Sequence, residues 1–212
     1  MPESIATQPA GVFLDALASG SPAPGGGSAA AFGGAMAAGL VSMVCHMTLG
    51  KQQYAEHDEE VRGILDRAEA LRHSLQALAD EEVAVFGRLS AAYRLPRTTD
   101  ADAATRQAAI QRVTRQAAEA PLHTAQAAAG LLPLCTALAS RCSRLIVSNV
   151  GVAAVLARAA VQSAILSAEI NLAALDDQLY AREVRAQVED LVIGLNEETD
   201  GIVAIVRGRI NG

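Results

Sequence analysis

The sequence predicts an all-α protein: a helical bundle of about six to seven helices around two long, nearly uncharged central ones. Three observations carry this. Alanine fills 45 of the 212 positions, and alanine has the highest intrinsic helix propensity. Apolar residues recur at three-to-five-residue steps over long reaches, and no stretch alternates in the manner of a half-buried strand. Aromatic residues make up only 3% of the chain and tryptophan is absent, so helices must pack closely through small side chains. A chain of this length with no internal repeat reads as a single domain over residues 1–212.

The elements follow in order. A short helix near Pro9 to Ala18 is expected to turn Phe13, Leu14 and Leu17 inward. The glycine-rich stretch Ser21-Pro22-Ala23-Pro24-Gly25-Gly26-Gly27-Ser28 then enters a buried helix running to about Thr48, with Ser28 placed as its N-cap. Ala30, Gly34 and Ala38 lie four apart on that helix and permit close helix contact. A long helix from Tyr54 to Tyr93 carries Val61, Leu65, Ala68, Leu71, Leu75, Leu78, Val83 and Phe86 on its apolar side. Leu95-Pro96 ends it, since the residue before proline is driven out of the helical region. Thr99 or Asp100 caps the next helix, to about Glu119, and Pro121 is expected to open another that ends near Ser148-Asn149. A second central helix spans Gly151 to Ala174, interrupted only by Arg158 and Glu169. Asp176 or Asp177 caps a last helix that runs to the C-terminus.

Composition excludes several functions. The net charge of −6 and the lack of a basic stripe argue against nucleic acid as a partner. Cys45, Cys135 and Cys142 have no metal-ligand spacing, and His46, His57, His73 and His123 are scattered; no metal site is expected. The cysteines read as buried or free thiols of a reducing cytoplasm. Ala16 to Gly50 holds no residue charged at neutral pH, which is long enough to raise a membrane span. Its small residues are weakly apolar and no basic residues precede it, so a helix buried in a bundle or dimer is the better account. The central helices are too long and too uncharged to be hidden within one bundle. A homodimer is therefore expected, built partly on the Ala30/Gly34/Ala38 helix or on Val152 to Ala173.

Several pieces recur together: Phe13-Leu14-Asp15-Ala16-Leu17-Ala18, Pro24-Gly25-Gly26-Gly27, Leu40-Val41-Ser42-Met43-Val44-Cys45, and Thr48-Leu49-Gly50-Lys51 with Tyr54. Later come Leu95-Pro96-Arg97-Thr98-Thr99-Asp100, Ala120-Pro121-Leu122, and Asn171-Leu172 ahead of Leu175-Asp176-Asp177. In this order and spacing the chain resembles the cyclodeaminase/cyclohydrolase family. That family includes the C-terminal domain of formiminotransferase-cyclodeaminase and the stand-alone methenyltetrahydrofolate cyclohydrolases, the latter branch being the nearer. The resemblance implies reversible hydrolysis of methenyltetrahydrofolate to formyltetrahydrofolate, with no cofactor or metal beyond the folate substrate. The alternatives are a formiminotetrahydrofolate cyclodeaminase and a diverged, non-catalytic binding or scaffold member of the fold.

Water must add to a cationic amidinium-like carbon, and the adduct must expel a ring nitrogen. This chemistry needs a base, a proton source and contacts to the pterin edge. Lys51 is the only lysine beside sixteen arginines, and an amine loses a proton on burial where a guanidinium does not. It is a candidate proton shuttle or partner of the folate's carboxylates, or else a solvated residue after a helix end. Asp80-Glu81-Glu82 interrupts an apolar stretch. Glu82 stands where the resembling enzymes carry aspartate, and it is a candidate base or a grip for the pterin's N–H groups. Ser148-Asn149 stands where the family has Ser-Asp, so Asn149 keeps hydrogen bonding without a charge. Ser143 and Ser167 stand where asparagines are expected, and Asn171 remains. Pro24, Gly25, Gly26, Gly27 and Ser28 are expected to line the substrate pocket, with backbone N–H groups facing anionic atoms. Ser148 and Asn171 are expected to join them in binding the substrate.

Overall fold

A computed structural model describes residues 4–212; the first three residues of the domain expected over 1–212 lie outside the described part. The described residues form α1 (Ala10–Leu17), α2 (Gly26–Thr48), α3 (Asp58–Tyr93), α4 (Asp100–Ala129), α5 (Leu132–Ala139), α6 (Val147–Ala173), α7 (Gln178–Val192) and α8 (Leu195–Asn211). Short 3₁₀ turns precede α1 and α3, and no strand occurs among the described residues. Six helices are long; α1 and α5 have eight residues each.

The core is a ring of four helices in the order α2, α3, α4, α6. Ser28 of α2 meets Ala79 of α3 while Gly34 meets Leu75, so these two helices run antiparallel. Gly26 faces Ser167 and Gly33 faces Ala160, which makes α2 and α6 antiparallel as well. Small residues set the spacing. A Cβ on Gly34 would lie 3.0 Å from a Leu75 methyl, and one on Gly151 would lie 3.2 Å from Val206 of α8. The two central helices, α2 and α6, bury thirteen and twelve residues. Cys45, Cys135 and Cys142 are free and buried, and burial pushes the thiols of Cys45 and Cys135 up to about 12. By length and composition α2 and α6 are apolar enough to cross a membrane. The apolar window of α2 is 61% buried inside the bundle.

Several local expectations are corrected. Ser28 is not the N-cap of α2; Gly25 is, in extended backbone, and Ser28 lies in the first turn with its hydroxyl donating to the Ala79 carbonyl at 3.3 Å. A buried tertiary acceptor outcompetes the local cap, because a hydroxyl hidden from water must find a partner. Pro121 does not open a helix but sits inside α4. The predicted last helix is two, α7 and α8, divided at Gly194, whose φ of 74° favours glycine. Leu14 is 59% exposed; Phe13 packs edge-on against Phe32 instead. Ala30, Gly34 and Ala38 themselves are buried within the protomer, so only other residues of that helix are open to a partner. Thr99 and Asp177 cap α4 and α7 as expected, Thr99 through a reciprocal box with Asp102.

Candidate active site

A cleft of about 260 Å³ opens where the start of α2 meets the last third of α3 and the end of α6. Glycine forms its floor. Gly25 caps α2 with no side-chain hydrogen bond, so the first-turn N–H groups of Gly26, Gly27 and Ser28 are left without a capping side chain. Val85, Phe86 and Leu89 of α3 form one wall, and Ile170 of α6 the other, around four polar residues: Ser28, Glu82, Ser167 and Asn171.

Glu82 is the chemical centre of this cleft. Its carboxylate lies directly against Gly27, so that a Cβ at Gly27 would run into it. Glycine here leaves room for the Glu82 side chain in this position; it is not called for by backbone angle. Burial, and secondarily the charge of Glu81, push the Glu82 carboxyl above the usual carboxylate range. Its neighbours are engaged elsewhere. Asp80 accepts from the Ser4 hydroxyl at 2.6 Å and the Ile5 N–H at 2.8 Å, and Glu81 pairs with Arg88 at 2.6 Å. The three consecutive carboxylates thus divide into an anchor for the N-terminal turn, a surface ion pair and one group aimed into the cleft.

The structure brings Gly25, Gly26, Gly27, Ser28, Glu82 and Asn171 together around the cleft. Pro24 does not line it, although Pro22 and Ala23 do. Lys51, Ser148 and Asn149 are elsewhere. Lys51 follows the end of α2, and Ser148 and Asn149 begin α6, so all three lie at the far end of the antiparallel pair, about 33 Å from the cleft at 1.5 Å per helical residue. Lys51 is exposed rather than partly buried, because Gly50 in left-handed backbone (φ 72°) turns the chain outward there. Asn149 is half-buried and donates to the Ile146 carbonyl at 3.1 Å, and Ser148 is exposed. Ser143 is in the loop between α5 and α6, at the same far end.

The apolar wall was missed by sequence reasoning. Its signal was present: Glu82, Phe86 and Leu89 share one helical face at i, i+4 and i+7, as do Ser167 and Asn171 at i and i+4. An apolar groove of about 480 Å³ continues from the cleft along the seam between α2 and α6, past Ala29, Gly33, Leu156 and Leu166.

Comparison with known proteins gives the family and the fold. The sequence pattern of the family described as Formiminotransferase-cyclodeaminase matches residues 9–190. A methenyltetrahydrofolate cyclohydrolase of Methylorubrum extorquens is 36% identical over 94% of this chain and 96% of its own length. Pig formimidoyltransferase-cyclodeaminase is 34% identical over 90% of this chain, which spans only 35% of that enzyme. A crystal structure of formiminotetrahydrofolate cyclodeaminase from Thermotoga maritima superposes with a TM-score of 0.80 at 24% identity. The match covers 97% of each chain and establishes the fold. Fold and likeness together define an all-helical domain of the cyclodeaminase and cyclohydrolase kind. The chain belongs to the formiminotransferase-cyclodeaminase family.

Proposed function

We propose that this protein is a methenyltetrahydrofolate cyclohydrolase, interconverting methenyltetrahydrofolate and formyltetrahydrofolate. The observation that carries the reading is the Glu82 carboxylate, half-buried and facing an apolar cleft beside the uncapped start of α2. The substrate's reacting carbon is cationic, so a desolvated carboxylate attracts it and accepts the proton of the attacking water. A carboxyl raised toward neutrality suits that exchange better than an ordinary one. The developing adduct carries its oxygen near first-turn N–H groups, which favour negative charge. The 36% identity to a stand-alone cyclohydrolase over nearly the whole of both chains supports this substrate. Besides water, the folate itself is the only small molecule the reaction needs.

In this reading the cleft takes the ring end of the folate, and the apolar groove beside it is left for a protein partner. That groove belongs to an exposed apolar face. On α2, Ala29, Gly33, Met36, Leu40, Met43 and Met47 follow steps of four and three, the spacing of a coiled-coil seam. On α6, Val152, Val155, Leu166 and Ile170 stand 49, 42, 68 and 72% exposed beside it. The occupant in this reading is a second copy of the chain, making a homodimer in the cytoplasm. A two-fold axis crossing the antiparallel pair sets the Lys51 and Asn149 end of one protomer over the Glu82 cleft of the other. Residues separated within one chain then share one site.

The test is direct: purified protein is mixed with methenyltetrahydrofolate, and loss of its near-ultraviolet absorbance is followed above spontaneous hydrolysis. A rate proportional to enzyme concentration is expected; none at any concentration overturns the reading. The 34% identity to pig formimidoyltransferase-cyclodeaminase favours a second reading, closure of formiminotetrahydrofolate with loss of ammonia. Ammonia release from that substrate, without methenyltetrahydrofolate hydrolysis, selects it. Failure of both assays leaves the non-catalytic binding role.

A further inference from the structure

Pro121 lies in the interior of α4, where a residue with an N–H would bond the carbonyl four positions back. That carbonyl belongs to Ala117, which lines the cleft and is buried. Its place as acceptor is filled from another helix. The Asn171 side-chain nitrogen donates to Ala117 O at 2.9 Å and to Ser167 O at 2.8 Å. Both neighbours are backbone carbonyls, which only accept, so the amide end facing them must be the NH₂. Its two protons are then committed. The carbonyl end, Oδ1, remains as the atom Asn171 has to offer to the cleft.

We propose that Pro121 is a positioning residue: by withholding one backbone N–H it locks the Asn171 amide with its acceptor toward the cleft. The cleft then selects ring edges that carry N–H groups over edges that carry only acceptors. With Glu82, Asn171 gives the cleft a charged and a neutral acceptor, which suit a heterocycle that carries ring and exocyclic N–H groups. The identity of that heterocycle as the pterin rests on the folate reading above. The amide lock itself does not.

The experiment is a cycle of Pro121→Ala, Asn171→Ala and the double variant. With alanine in place of Pro121 a backbone N–H reaches Ala117 O and the amide is freed to turn. Thermal unfolding without ligand should show that Asn171→Ala lowers the midpoint clearly in the wild-type background and much less in the Pro121→Ala background. The Asn171 side-chain NH₂ protons should exchange with solvent faster in Pro121→Ala than in wild type by nuclear magnetic resonance. Toward methenyltetrahydrofolate, Pro121→Ala should raise KM about tenfold, the size of one misdirected hydrogen bond, with kcat held within about twofold. Additive unfolding shifts with unchanged amide exchange overturn the lock. Coupled shifts with an unchanged KM overturn its role in recognition. A wild type inert toward the folate overturns the functional reading alone, and the ligand-free cycle still decides the lock.

Discussion

The two ends of the α2–α6 pair are built from different materials. At one end, glycine backbone, a desolvated carboxylate and an apolar wall enclose a cleft. At the other, Lys51 and Ser148 stand in solvent and Leu145 is 90% exposed. Both ends carry polar residues that resemble family motifs, but the hollow beside Lys51, Gln52 and Gln53 is far more open than the Glu82 cleft. Enclosure rather than polarity separates them: it changes the chemistry of Glu82, whereas open residues act only if something else closes over them. In a two-fold dimer of the kind proposed, that something is the opposite end of a second copy.

The largest expected effect tests the enclosed end. Glu82→Gln should lower turnover by about 10²–10⁴-fold, the usual loss when a general base is removed. Full activity in a steady-state assay would remove this cleft from the chemistry. Next comes the link between the ends. Lys51→Met and Glu82→Gln proteins should each be nearly inactive. After mixing and subunit exchange, the pair should regain about a quarter of wild-type turnover, since half of random dimers are hybrids with one intact site. An active Lys51→Met protein would show that the far end contributes nothing. A smaller effect concerns the frame of the cleft. Ser28→Ala should destabilise the protein by about 1 kcal/mol in urea unfolding, the net worth of an ordinary buried hydrogen bond. No change would mean the Ala79 carbonyl loses nothing of consequence.

The smallest effect is a slope. Because the folded-state value of Glu82 lies above its unfolded value, the native protein binds more protons between the two. This group therefore costs stability as pH rises through that window, and costs nothing below it. Glu82→Gln should match wild type in acid and exceed it at neutral pH in paired urea titrations. A difference independent of pH would show that the carboxyl is not desolvated.

The helices themselves were legible because alanine content, apolar spacing and caps act locally; Thr99, Asp177 and Leu95-Pro96 stand where the sequence puts them. The errors share one cause, a partner far away in sequence. Ser28 looks like a cap until Ala79, fifty-one residues on, takes its hydroxyl. Pro121 looks like a helix start because a proline at the first turn and one inside a helix have the same neighbours. What tells them apart is Asn171, on another helix. For the site, the glycine loop, Glu82 and Asn171 were recognisable as residues. Their convergence on one cleft, and the separation of Lys51 and Asn149 from it, depend on which ends of the antiparallel helices meet. No local pattern encodes that.

The contact between Gly27 and Glu82 also bears on the order in which this site can change. A side chain at 27 and the carboxylate at 82 compete for the same space, so a change at one is felt at the other. A side chain gained at 27 pushes the carboxylate at 82 away from α2 unless 82 has shortened first. The reverse change, lengthening 82, has room in a chain that already has glycine at 27. The constraint runs both ways, and the longer acid keeps its place against α2 only while 27 leaves it room.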